Sequence, residues 1–170
     1  MSEPQAAVPA IDAYARLVAL LDAHGAAYSL IDHAPEGRTD LVSAMRGHAV
    51  ADAAKCMVVM VKIGKKSTRF VLAVVPGDRK VDIAAIQRLK GGTFARFTDP
   101  AVAERLAQSV AGTILPFTFD DDLELVADPA LAERPTLYFN AARLDRSIAL
   151  KTADYLTIAK PRMERIAAAA

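Results

Sequence analysis

The stretch Cys56-Met57-Val58-Val59-Met60-Val61-Lys62-Ile63, then Gly64-Lys65-Lys66-Ser67, then Thr68-Arg69-Phe70-Val71-Leu72-Ala73-Val74-Val75 decides the fold. Two runs rich in Val, Ile, Met and Phe flank four residues of turn chemistry, so they read as the strands of a β-hairpin. Pro76-Gly77-Asp78 closes the second strand. Asp82 then caps a helix whose apolar Ile83, Ile86 and Leu89 lead to a stop at Gly91-Gly92. The apolar run from Cys56 to Val61 is far too short to cross a bilayer.

Upstream of the hairpin, Ile11, Tyr14, Val18 and Leu21 recur at helical spacing and Gly25 ends the segment, predicting a helix over residues 11–24. Tyr28 to Asp32 reads as a strand. Thr39 or Asp40 can cap a short helix through Arg46 that stops at Gly47, and a helical turn follows at Val50 to Ala54. Downstream, Thr93 to Phe97 is a strand, and Asp99-Pro100 opens a helix to about Ser109. Gly112 to Phe119 is a loop that becomes extended. Leu123 to Val126, Thr136 to Asn140 and Ser147 to Leu150 are strands, with a turn capped by Asp128-Pro129. Thr152 to Ile166 has a helical pattern broken or kinked at Pro161. The interleaving predicts an α/β fold of the mixed α+β kind, with a central mixed, largely antiparallel β-sheet flanked by helices. One domain is expected over residues 11–166, between a flexible 1–10 and a frayed 167–170.

The composition fits one globular domain. The chain has 170 residues, 53% hydrophobic with alanine the commonest, 6% aromatic without Trp, and 24% charged with mixed signs. Disordered and collagen-like classes are excluded. A net charge of +1 lacks the uniform positive field of a general nucleic-acid coat, so any nucleic-acid contact has to be local. The single cysteine allows neither an internal disulfide nor a Cys-based zinc site. Met1 to Pro9 has no basic stretch and no long apolar run, so no signal peptide and a cytoplasmic setting are expected. His24, His33 and His48 lack ligand spacing and no H-E-x-x-H occurs, so neither a metal nor another cofactor is expected. There is no G-x-G-x-x-G, no P-loop and no G-x-S-x-G elbow.

Three features carry possible chemistry. Lys55 stands at the mouth of the first hairpin strand, where a compact ammonium can hold a phosphate or a developing oxyanion; a snorkelling strand-end lysine is the plain alternative. Lys62, Lys65, Lys66 and Arg69 make the hairpin basic and suited to a nucleic-acid backbone, or else a solvated tip that resists edge aggregation. Asp120, Asp121, Asp122, Glu124 and Asp128 form an opposing acidic stretch. Gly112-Thr113-Ile114-Leu115-Pro116 brackets an apolar tripeptide between residues that let backbone amides approach a ligand, or forms an ordinary helix-to-strand turn. Strand alternation sends Cys56 to the face opposite Lys55, which favours a buried structural thiol over a nucleophile.

His33-Ala34-Pro35, Thr39, Ala54-Lys55-Cys56-Met57-Val58-Val59, Val75-Pro76-Gly77-Asp78-Arg79-Lys80-Val81-Asp82 and Gly112-Thr113-Ile114-Leu115-Pro116-Phe117, in this order and spacing, resemble the YbaK family. That family comprises the editing insertion domain of bacterial prolyl-tRNA synthetase and its free-standing relatives, and the resemblance spans roughly residues 11–160. It implies a mixed sheet wrapped by helices and trans-editing, the hydrolysis of the ester of a mischarged aminoacyl-tRNA. Mischarged tRNA, tRNA-Pro or a related one, is then the partner, and an aminoacyl-tRNA synthetase a further candidate. The family's lysine falls on Lys55 and its Gly-x-x-x-Pro loop on Gly112 and Pro116. By resemblance, Lys55 holds the terminal adenosine phosphate or orients the ester, amides near Gly112 stabilise the oxyanion, and water attacks. His33, Thr39, Thr113, Ile114, Leu115, Pro116, Asn140 and Ala141 are the implied substrate contacts. An activated ester needs positioning and charge stabilisation more than a strong nucleophile. The chain departs from the pattern at Cys56, usually Thr or Asn, and at Asn140-Ala141-Ala142-Arg143, usually glycine-rich. Ala, Ser, Thr and Cys all remain candidate amino acids. A non-catalytic tRNA- or aminoacyl-binding module and a Cys56-dependent thiol hydrolase are the alternatives.

Overall fold

The computed structural model describes residues 12–169. Its elements in chain order are α1 (Ala13–Ala23), β1 (Tyr28–Asp32), α2 (Thr39–Arg46), β2 (Ala54–Ile63), β3 (Ser67–Pro76), α3 (Ile83–Leu89), β4 (Phe94–Phe97), α4 (Pro100–Ala107), β5 (Leu123–Ala127), β6 (Thr136–Asn140), β7 (Arg146–Lys151), α5 (Thr152–Ala159) and β8 (Arg162–Met163). Short 3-10 turns lie at Val50–Asp52 and Pro129–Glu133. The segment expected to be flexible, 1–10, and the expected helix start at Ile11 lie outside the described residues. No helix among the described residues is long and apolar enough to cross a membrane.

The fold is the expected mixed α/β type with largely antiparallel strands, but the strands divide into two sheets. A five-stranded sheet has the order β4-β2-β3-β5-β8, and a three-stranded one the order β1-β7-β6. β2 and β3 form the expected hairpin, running from Ala54 opposite Pro76 to Ile63 opposite Ser67. β5 joins β3 in parallel, and β8 joins β5 in parallel. The near-continuous apolar character of β3 has a direct cause, because both of its faces are covered. Leu72 and Val74 enter the main core with Leu17 and Leu21 of α1, Leu137 and Phe139 of β6, Ile148 and Leu150 of β7, and Tyr155 of α5. Val71, Ala73 and Val75 face a second core with Val59, Val61, Ile86, Val126 and Ile166.

Local expectations hold where a side chain acts on its own backbone. Asp82 caps α3 by accepting from Ala85 N at 3.0 Å, and Asp128 accepts from Ala130 N at 2.9 Å. They fail where tertiary contact decides. Arg38, not Thr39 or Asp40, occupies the N-cap of α2 and gives no side-chain cap. Thr39 is instead the first residue of the helix, with its methyl close to Gly77, where an added Cβ would lie 2.7 Å from Thr39 Cγ2 and 2.5 Å from Val50 O. The helix expected over Thr152 to Ile166 ends at Ala159: Lys160 turns left-handed at φ 47°, Pro161 follows, and the chain leaves to form β8. Residues 167 and 168 are tied down instead of frayed, since Ala167 bridges to Val81 and Ala168 N donates to Lys80 O at 2.7 Å.

Candidate active site

The two sheets meet at the start of β2, where Ala53 bridges to Tyr138 of β6 in parallel. β4 covers the same edge of β2 only from Val59 to Lys62. Between the bridge and β4 the strand edge is unpaired, and there a cleft of about 460 Å³ opens, lined by the start of β2, by α2 and the loop before it, by Gly112 and Ile114, and by β6. Thr98 N donates to Val58 O and Thr93 N to Lys62 O on this edge. The ladder's parity therefore turns the backbone groups of Cys56 toward the cleft as well.

Lys55 lines the cleft from the first turn of strand after the bridge. Its ammonium is held below the ordinary lysine range mainly by loss of solvent, with the Asp78 carboxylate pulling the other way and Lys80 adding repulsion. The thiol of Cys56 borders the same cleft but packs into the main core, with Sγ 3.7 Å from Ala54 O. Burial pushes that thiol far up, and the buried Tyr155 hydroxyl feels it from the core side. A thiol so placed is the wrong species for a nucleophile, which must be a thiolate. Cys56→Ser is expected to keep single-turnover deacylation within several-fold; complete loss at unchanged melting temperature would restore the thiol-hydrolase alternative.

Gly112 stands at φ 85°, and a Cβ there would lie 2.9 Å from Gly37 Cα. Two backbones thus touch at the cleft rim, the loop through Gly37 and the loop through Gly112. Asn140 ties them: its Nδ2 donates to Glu36 O at 2.8 Å and to Gly112 O at 3.0 Å. Behind Asn140, Ser147 Oγ donates to Asn140 Oδ1 at 2.9 Å, and Arg46 Nη1 donates to Ser147 Oγ at 3.0 Å. Arg46 Nε donates to His48 Nε2 at 2.9 Å while His48 Nδ1 donates to Ala49 O at 2.7 Å, which fixes a neutral imidazole. Burial, followed by the opposing pull of the Ala49 carbonyl, sets His48 below its ordinary range. His48 stacks on Tyr138 at 3.8 Å between centroids.

Among the residues singled out from the sequence, the cleft therefore gathers Lys55, Thr39, Gly112, Ile114 and Asn140. Cys56 borders it as well, and the other implied substrate contacts lie behind its walls. Leu115 and Ala141 are core residues, and Pro116 is buried beside them. Thr113 is fully buried, with Oγ1 donating to Val110 O at 2.7 Å to shape the turn. His33 backs the wall through Nε2, 2.6 Å from Ser147 Oγ. Lys62, Lys65, Lys66 and Arg69 sit toward the far end of the hairpin, with the tip about 30 Å from Lys55 at the usual strand rise. Arg69 there shares a groove with Asp120, Asp121 and Asp122. Sequence reasoning missed Arg46, Gly37, Tyr138 and Ser147. Arg46 read only as the last residue of a helix, and the partners that give it meaning lie 94 and 101 residues away. Among the described residues no group of three or more His, Cys, Asp or Glu is placed to hold a metal ion.

Several known proteins are similar to this chain. The multifunctional Ser/Thr-tRNA deacylase ProXp-y of Escherichia coli (strain K12) is 42% identical over 149 residues, covering 87% of this chain and 89% of the relative. The same protein from Escherichia coli O157:H7 matches equally. Among solved structures, hypothetical protein APE2540 superposes with a TM-score of 0.80 at 17% identity, over 90% of this chain and 99% of that one. A putative trans-editing enzyme for prolyl tRNA synthetase does so with a TM-score of 0.74 at 17% identity, over 92% and 98%. At that identity these two structures speak for the fold alone. The family model for the aminoacyl-tRNA editing domain matches residues 34–158, from the loop before α2 into α5 and so across every wall of the cleft, and the chain belongs to that family.

Proposed function

We propose that this chain is a free-standing deacylase that hydrolyses the ester of mischarged aminoacyl-tRNA, with serine and threonine as its preferred amino acids. The observation that carries the reading is Lys55 in a small cleft whose rim is two touching backbones. Such a cleft has room for a terminal ribose and a short side chain. The 42% identity to a Ser/Thr-tRNA deacylase supports the hydroxyl-bearing substrates. Selection against a small mischarged residue needs a second site because a synthetase pocket rejects near-isosteres only weakly.

The chemistry follows from what the cleft offers. The ester is already activated, so water attacks without a covalent intermediate, while Lys55 and backbone N–H groups near Gly112 meet the charge that develops on the carbonyl oxygen. Thr39, its methyl held against Gly77, leaves its hydroxyl for a polar substrate group. A panel of tRNAs charged with Ser, Thr, Ala or Cys tests the reading: ester hydrolysis of Ser- and Thr-tRNA, absent with the cognate pairs, is expected. Tight binding without turnover would make the chain a non-catalytic module.

The hairpin bases fit contact with tRNA phosphates away from the acceptor end, and an aminoacyl-tRNA synthetase that hands over the product is the natural cytoplasmic partner. Neutralising Lys65 and Lys66 is expected to weaken tRNA binding and flatten its salt dependence, because fewer counterions are released. Turnover at saturating tRNA should hardly change, since such contacts are equal in ground and transition states. An unaltered salt slope in a titration at several ionic strengths would place tRNA elsewhere on the protein.

A further inference from the structure

Three cations line the cleft: Arg38, Arg46 and Lys55. Two have acidic company. Arg38 Nη2 pairs with Asp40 Oδ2 at 3.0 Å, and Asp78 acts on Lys55. Arg46 has none. Its described hydrogen-bond partners are His48, Asn140 and Ser147, all uncharged as the tautomer of His48 is fixed, and no carboxylate of the described residues lies within ion-pair distance. Burial brings the guanidinium down to about 10, opposed only by the nearby Tyr138 hydroxyl.

A half-buried charge without a counterion is costly, and the chain offsets only part of that cost, through three neutral acceptors. Nε and Nη1 are fastened to β7, β6 and the segment after α2, while Nη2 has no partner among the described residues. The guanidinium is thus held rigidly with one pair of N–H donors free beside a cleft, the arrangement of an anion site awaiting its anion. On an aminoacyl-tRNA terminus the ester and the ribose are neutral and the α-amino group is neutral or cationic. The negative charge nearest the ester is the last internucleotide phosphate.

We propose that Arg46 is the binding residue for that phosphodiester, gripping it through Nη2 so that Lys55 is left for the reacting ester. The assignment rests on the aminoacyl-tRNA reading above. His48, Ser147 and Asn140 act on it as positioning residues.

The test uses a non-cognate tRNA mischarged with serine in two forms, one with the natural phosphodiester (natural seryl-tRNA) and one with a neutral methylphosphonate at the last internucleotide linkage, under single-turnover conditions. The wild-type chain is expected to lose tenfold or more in kcat/KM on the neutral linkage. Arg46→Gln is expected to be slower on natural seryl-tRNA and nearly indifferent to the substitution. If the wild type ignores the neutral linkage, or if Arg46→Gln suffers the same linkage penalty as the wild type, the phosphate assignment is overturned and Arg46 only builds the wall. Arg46→Met, which fills the stem's space with an apolar chain, carries the comparison if Arg46→Gln melts too low to assay. Failure of the wild type on natural seryl-tRNA is a separate result and strikes the proposed function instead.

Discussion

Lys55→Ala is expected to fold like the parent chain and to lose tenfold or more in single-turnover deacylation, about 1.4 kcal/mol of transition-state stabilisation. The fold survives because Lys55 pairs with Val75 through its backbone, which alanine retains, and its side chain has no hydrogen-bond partner among the described residues. The rate falls because a partly desolvated ammonium acts on developing charge far more strongly than one in water. Lys55→Arg should recover little, since a planar guanidinium does not occupy the point position of an ammonium. Unchanged rates in a folded Lys55→Ala would remove Lys55 from the chemistry.

Gly112→Ala is the second large effect, on stability and activity together. The position has φ 85°, which L side chains rarely adopt, and the new Cβ would meet Gly37 Cα at 2.9 Å, backbone that cannot swing aside. Strain and overpacking together should cost about 1–3 kcal/mol. Any relaxation must part the two loops, breaking one or both Asn140 hydrogen bonds and widening the rim, so deacylation should fall further than the lost stability accounts for. Gly64→Ala is the control, with φ 66° and nothing within 4 Å of the added Cβ. It should be mildly destabilised, with normal turnover. Equal effects of the two substitutions in denaturant melts and single-turnover assays would show that the Gly37–Gly112 contact carries no weight.

What was legible in the sequence shares one property, locality. The hairpin was visible because apolar runs and a turn are adjacent in the chain, and Asp82 was visible because a cap acts three residues away. That Lys55 and Gly112 line one cleft agrees with the motif order, which is also a reading along the chain. The two-sheet division was not legible, because it depends on β1 and β6 both pairing with β7 and not with the hairpin, a choice of distant partners no periodicity encodes. The helical pattern after Thr152 misled for the same reason: Arg162 and Met163 have partners in β5, and pairing there outweighs helix propensity. Substrate contacts inferred along the Gly112–Pro116 loop were spread too widely, since such a loop alternates between lining a cavity and anchoring in the core. Ile114 lines the cleft, whereas Thr113 and Leu115 anchor.

The meeting of Gly37 and Gly112 bears on how this scaffold can change its selectivity. Where main chain meets main chain there is no side chain for an ordinary exchange to resize, so the contact is set by the two glycines and by Asn140 and Leu144 beside them. Drift that spares Asn140 and Leu144 leaves that contact as it is, and loss of either glycine alters it at a cost in stability. Discrimination between one small amino acid and another is therefore free to evolve on the cleft's interior, through Thr39, Ile114 and Met57, by single substitutions that leave the entrance untouched. A laboratory effort to redirect the enzyme should randomise those three positions and hold both glycines fixed.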